Sequence, residues 1–152
     1  MHTKVVYKKF IMSKNSENTN AFLIHISAFS GFIIPFGSII VPLILWQTLK
    51  EKSRFLDEQG KEAVNFNISY ALYTFIIGLS IIPFALGSFL SHMRDFNHFD
   101  FNFASSGFFG IFGIASIVGI IGIIKFALII IAALKSNQGE DYRYPLTIKF
   151  IK

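Results

Sequence analysis

Apolar positions along the chain gather into three long runs separated by polar segments. Ala21 to Gln47, Val64 to Leu90 and Phe103 to Leu134 carry almost no charge. A hydrocarbon core of about 30 Å needs roughly 20 helical residues, so each run is long enough to cross it. The pattern predicts an all-α polytopic membrane protein with three transmembrane helices, over residues 21–47, 64–90 and 105–134, in one domain spanning 21–134. A polar tail, 1–20, precedes the first run and is read as a loosely ordered terminus. The segment 135–152 is polar at first and then amphipathic around Pro145, fit to lie along a membrane surface. No run resembles a signal peptide, because the first follows a polar tail and lacks a small-residue cleavage pattern.

The first run, "AFLIHISAFSGFIIPFGSIIVPLILW", contains Gly31, Pro35, Gly37 and Pro42, so its helix is expected to be kinked. Ser27, Ser30 and Ser38 are placed to satisfy the carbonyls such breaks release, and Trp46 closes the run at headgroup level. In the second run, Glu58, Glu62, Asn65 and Ser69 recur at helical spacing. They form a polar stripe that must turn inward, since lipid would reject it. Gly78, Pro83 and Gly87 are expected to loosen the far end of that helix.

The third run repeats a small residue at every third position from Gly107 to Gly122 and then reaches Lys125. At about 100° per residue such a ladder drifts around the helix and is not one face. Ser106, Gly110 and Gly113 share one side, while Ala115, Gly119 and Gly122 share nearly the opposite side. Each set has the spacing that lets helix backbones approach closely, so the helix is expected to touch two different partners. Lys125 lies beside the second set. Either it snorkels to the headgroups, or it pairs with Glu62, Asn65 or Ser69 on the second span.

Composition fits this reading: of 152 residues 53% are hydrophobic and 19 are Phe, with a mean hydropathy of +0.55. The net charge of +5 does not signal nucleic acid, because the basic residues flank the apolar runs as membrane proteins require. Without a cysteine there is no disulfide framework, thiolate metal site or cysteine nucleophile. No phosphate-binding loop, metalloprotease or nucleophile-elbow motif is present, and neither enzymatic activity nor a cofactor is expected. His25 beside Ser27 reads as an intramembrane histidine bonded across helices, or as a proton-relay or ligand group. His92, His98, Asp95 and Asp100 in the second connection read as solvated polarity rather than a metal site.

Lys50, Lys52, Arg54 and Lys61 lie on the same side of a three-span protein as Lys135, Arg143, Lys149 and Lys152. The other side carries Lys4, Lys8, Lys9, Lys14 and Arg94. The bias favours a cytoplasmic C-terminus and an outside N-terminus.

The stretches "LIHISAFSGFIIPFGSIIVPLILW", "KEAVNFNISYALY" and "YRYPLTIKFIK" resemble, in order and spacing, the bacterial three-span family named domain of unknown function 4870. That family is distantly similar to the Tic-twenty component of chloroplast protein import. The resemblance rests on His25, Pro35, Pro42, Glu62, Asn65, Phe66, Tyr144 and Pro145, and the third span carries no part of it. It implies partnership with other membrane proteins, in translocation or assembly. The expected protein is thus a non-enzymatic integral subunit or accessory protein of a bacterial cytoplasmic-membrane complex. Its expected partners are membrane lipid and other integral membrane proteins, with self-association also open and nucleic acid excluded. The alternative is a small oligomeric transporter or channel with His25, Asn65 and Lys125 along a polar path.

Overall fold

The computed structural model describes residues 2–94 and 101–152, with side chains except at 2–12, 80, 84–85, 88–89, 91–94, 101–112 and 114–115. Among the described residues the chain is helical and has no strand. Helix α1 (His2–Ile26) leads into a 3-10 turn (Ser27–Phe32), followed by α2 (Gly37–Leu49), α3 (Arg54–Arg94) and α4 (Phe101–Asn137). The predicted all-α class is correct. The polar segment before Ala21 is part of α1, which is helical from His2.

Two helices, not three, are long and apolar enough to cross a membrane among the described residues: Arg54–Pro83 and Ser116–Asn137. The first apolar run departs from the expected span because it folds back on itself. Its helix tightens at Ser27, where the Ser27 hydroxyl donates to the Ile24 carbonyl (2.6 Å) and the Ser30 hydroxyl to the Ser27 carbonyl (2.6 Å). The chain then turns through Phe36, whose φ of 61° is left-handed. Gly31 lies against Ser38, and Gly37 against the Ser30 carbonyl, so a Cβ at Gly37 would collide with backbone. Further from the turn, Leu45 and Leu49 of α2 pack on the cluster holding Ala21 and Ile24 of α1. The product is an antiparallel helical hairpin with its turn over residues 32–36. Pro42 sits inside α2 without ending it.

The chain divides into two compact units, residues 1–70 with 126–152, and residues 71–125. In the first, Ala21 and Ile24 pack with Leu56 and Ala63, and deeper Ala28 packs with Phe66 and Ile129. These pairings run in step, so α1 and the start of α3 point the same way. Consecutive spans cannot do that, and the return strand of the hairpin, α2, makes it possible. In the second unit α3 stays helical through Gly78, Pro83 and Gly87, where loosening was expected. Phe75, Ile76, Leu79, Ile82, Ile117, Val118, Ile120, Ile123 and Ile124 are each more than half exposed there. Such a surface is suited to lipid, where the helical backbone is already satisfied.

Candidate functional site

Buried polar groups converge in the first unit on His25, which is fully buried. Its Nε2 lies 3.0 Å from Gln59 Oε1, and its Nδ1 lies 2.9 Å from the Tyr144 hydroxyl. Gln59 Oε1 can only accept, so the ring proton belongs on Nε2, and Tyr144 donates to Nδ1. The Ser136 hydroxyl of α4 donates to the same Gln59 oxygen (3.0 Å). Four elements, α1, α3, α4 and the C-terminal segment, are thereby tied at one point.

Tyr144 is held on its other sides by rings. It stacks on Phe66 with centroids 3.9 Å apart and 7° between planes, and Tyr142 meets it edge-on at 5.1 Å. Burial, reinforced by Tyr142 and Glu62, raises its hydroxyl well above the ordinary tyrosine value. The hydroxyl therefore stays protonated and able to donate to His25.

Beyond Pro145 the segment lies along α3 and borrows side chains in place of a neighbouring strand. Asn65 Nδ2 donates to the Ile151 carbonyl (2.9 Å), and the Ile151 N–H donates to Asn65 Oδ1 (2.9 Å). An asparagine amide offers a donor and an acceptor in one plane, as a peptide does, so it closes a paired bond with the backbone. The Ile148 N–H donates to Ser69 Oγ (2.9 Å), whose own proton goes to the Asn65 carbonyl (2.7 Å).

At the hairpin's base, Trp46 Nε1 donates to Asp57 Oδ1 (2.9 Å), and Lys61 closes on Asp57 Oδ2 (2.6 Å). Gly60 lies flat against the indole, and a Cβ there would overlap it. Nearby, the start of α3 and the C-terminal segment enclose an open cavity of about 320 Å³ lined by Glu58, Glu62, Asp141, Arg143, Lys149 and Lys152 among others. Charges of both signs share this surface.

Of the sequence-predicted residues, the structure brings His25, Asn65 and Ser69 into this region, and Glu62 lines the cavity. Asn65 and Ser69, two of the candidate partners for Lys125 in the alternative to snorkelling, bond to the C-terminal segment. Lys125 is half-buried on α4 in the second unit. A Cβ at Gly113, Gly119 or Gly122 would meet nothing within 4 Å among the described residues. The side chains of Ser106, Gly110 and Ala115 lie outside the described residues, as do those of His92 and of the segment holding Asp95, His98 and Asp100. Sequence reasoning missed Gln59 and Ser136. Gln59 stands one position beyond Glu58 of the polar stripe, and its burial turns on which side of the helix meets α1. Ser136 offered no signal of its own. Among the described residues, no three His, Asp or Glu side chains converge to hold a metal ion.

A family model for the MamF/MmsF magnetosome magnetite crystal formation proteins matches residues 16–151. Comparisons with curated proteins and with solved structures returned no match. The family match overturns the resemblance to domain of unknown function 4870 and to the Tic-twenty component, and with it the link to protein translocation. The residues that suggested that resemblance, His25, Asn65, Phe66 and Tyr144, serve to fasten the C-terminal segment to the helices, a structural task that says nothing about translocation. The matched range also takes in the third apolar run, which the resemblance left unaccounted for. Together with two helices able to cross a bilayer, the match makes this a membrane-associated protein.

Proposed function

We propose, from the premise that the chain belongs to the magnetosome magnetite crystal formation protein family, that it is a non-enzymatic accessory subunit of the magnetosome membrane. It acts on crystal formation through protein partners that meet its polar end. The observation that carries this reading is that His25, Gln59, Asn65, Ser69 and Ser136 bond to one another and to the C-terminal segment. His25 has both ring nitrogens occupied, and Gln59, Asn65 and Ser69 are likewise engaged. The region then offers a firmly held surface of mixed charge rather than a reactive centre. Mixed charge suits a protein partner, because complementary charges fix register and exclude wrong partners. An oligomeric channel would need His25 and Asn65 along its polar path, and both are bonded within the chain.

The test is replacement of the gene in its own host. Deletion is expected to change the number or size of magnetite crystals seen by electron microscopy, and the wild-type chain to restore them. A chain carrying Glu62→Gln, Asp141→Asn, Lys149→Gln and Lys152→Gln is expected to reach the membrane at normal levels, lose co-purifying partners and fail to restore the crystals. Unchanged crystals on deletion would remove the proposed role.

A further inference from the structure

The hairpin of the first apolar run has a defined depth. At its base, Asn18 of α1 lies against Gly139, just past the end of α4, and Trp46 of α2 lies against Gly60 near the start of α3. Toward its apex, Phe29 packs on Phe126 of α4 with ring centroids 4.9 Å apart. Phe126 stands 11 residues inside the end of α4 at Asn137, about 17 Å at 1.5 Å per residue, within an apolar run that continues toward residue 105. Helix α2 returns over 13 residues, a rise of about 20 Å and too short to cross a core of about 30 Å. Among the described residues nothing covers the apex. Phe32, Ile33, Ile34 and Phe36 are 81%, 85%, 53% and 75% exposed.

We propose that residues 21–49 form a re-entrant hairpin whose apex lies among the acyl chains near the bilayer midplane, entering and leaving through the same leaflet. Lipid is the occupant because the apex lies beyond Phe29 and Phe126, about half the thickness of a hydrocarbon core inward from the end of the apolar helix α4, at a depth where water is absent. Backbone in such a turn is tolerated there because it is bonded within the chain: the Ile33 and Ile34 N–H groups donate to the Ser30 carbonyl, the Gly37 N–H to the Ile34 carbonyl and the Ile40 N–H to the Phe36 carbonyl. The N-terminal segment, the connection 50–53 and the C-terminal segment consequently share one side of the membrane.

Charge supports this sidedness. With the first run as a full span, the four lysines before Asn20 stand with Arg94 on the side opposite the other basic segments. With a re-entrant hairpin, every Lys and Arg of the 14 except Arg94 and Lys125 belongs to a segment on a single side. The positive-inside rule makes that side the cytoplasm. The inference concerns topology and does not depend on the role in crystal formation.

The chain has no cysteine, so single cysteines report cleanly. Lys14→Cys, Lys52→Cys and Lys152→Cys, each at an exposed position, are challenged with a membrane-impermeant maleimide in intact spheroplasts and in inverted vesicles. All three are expected to react in inverted vesicles and to be protected in spheroplasts. Ile33→Cys, with Ile34→Cys as a second apex variant, is expected to resist the reagent in both. A fluorophore on either apex position is expected to be quenched by lipids brominated mid-chain. Reaction of Lys14→Cys from the side opposite Lys52→Cys and Lys152→Cys would overturn the hairpin in favour of a full span. Reaction of both apex cysteines with the charged reagent in sealed vesicles would overturn the lipid occupancy.

Discussion

Between Leu56 and Ser69, α3 buries Gln59, Asn65 and Ser69 with their hydrogen bonds made inside the chain, whereas from Leu72 to Ile82 the same helix exposes Leu72, Phe75, Ile76, Leu79 and Ile82. The first part is held by directed contacts. A buried donor or acceptor left without its partner costs about 1–3 kcal/mol, so geometry there is specified group by group. The second part is held by apolar transfer, which is roughly proportional to area and indifferent to shape. One helix thus joins a region that should respond sharply to single substitutions to one that should tolerate them.

The largest effect should come from Gln59→Leu. The substitution leaves His25 Nε2 and Ser136 Oγ unpaired in a buried site, a loss of roughly 2–6 kcal/mol from two orphaned groups. A thermal melt in detergent should show it as a large fall in Tm, and a fall no greater than that of an exposed substitution would mean the node is not closed. Gly60→Ala comes next, because the new Cβ overlaps the Trp46 indole, and overpacking costs about 1–3 kcal/mol. Trp46 fluorescence should shift as the ring is displaced, whereas Gly78→Ala in the second part of α3, with open space around it, should leave both Tm and fluorescence in place.

A pH titration sharpens the same contrast. The Tyr144 hydroxyl has its folded value raised by burial above an unfolded value of about 10. Its contribution is therefore complete below about pH 10 and is lost as pH rises above it, since the tyrosinate must leave its site. The Tm of the wild-type chain should fall more steeply above about pH 10 than that of Tyr144→Phe; parallel curves would show that the hydroxyl is already solvated. The smallest effect belongs to Gly119→Ala, expected to change the stability of the isolated chain by less than about 0.5 kcal/mol. A larger loss in the native membrane than in detergent would identify that side of α4 as the seat of a partner helix.

The all-α class was legible because long uncharged runs have few soluble alternatives, and lipid selects helices. The hairpin was not. Residues 21–47 are long enough for a span, and what folds them back is the approach of Gly31 to Ser38 and of Gly37 to Ser30 around a left-handed Phe36. The clustering of Gly31, Pro35 and Gly37 carried a hint of this, but a kink and a reversal leave the same signature in composition. Within the site, His25, Asn65 and Ser69 stood out as polar residues in apolar surroundings. Their partners did not, because Tyr144 reaches His25 across 119 residues and the bonds of Asn65 and Ser69 go to backbone, which any sequence supplies.

The central claim is that the C-terminal segment is locked to α3 by side chains standing in for a strand, and amide hydrogen exchange at Ile148 and Ile151 tests it most directly. Both N–H groups should exchange far more slowly than their irregular backbone would allow unaided, and Asn65→Leu should release Ile151 while leaving the helical amides of α4 protected. Exchange at Ile148 and Ile151 in the wild-type chain as fast as in a free peptide would contradict it.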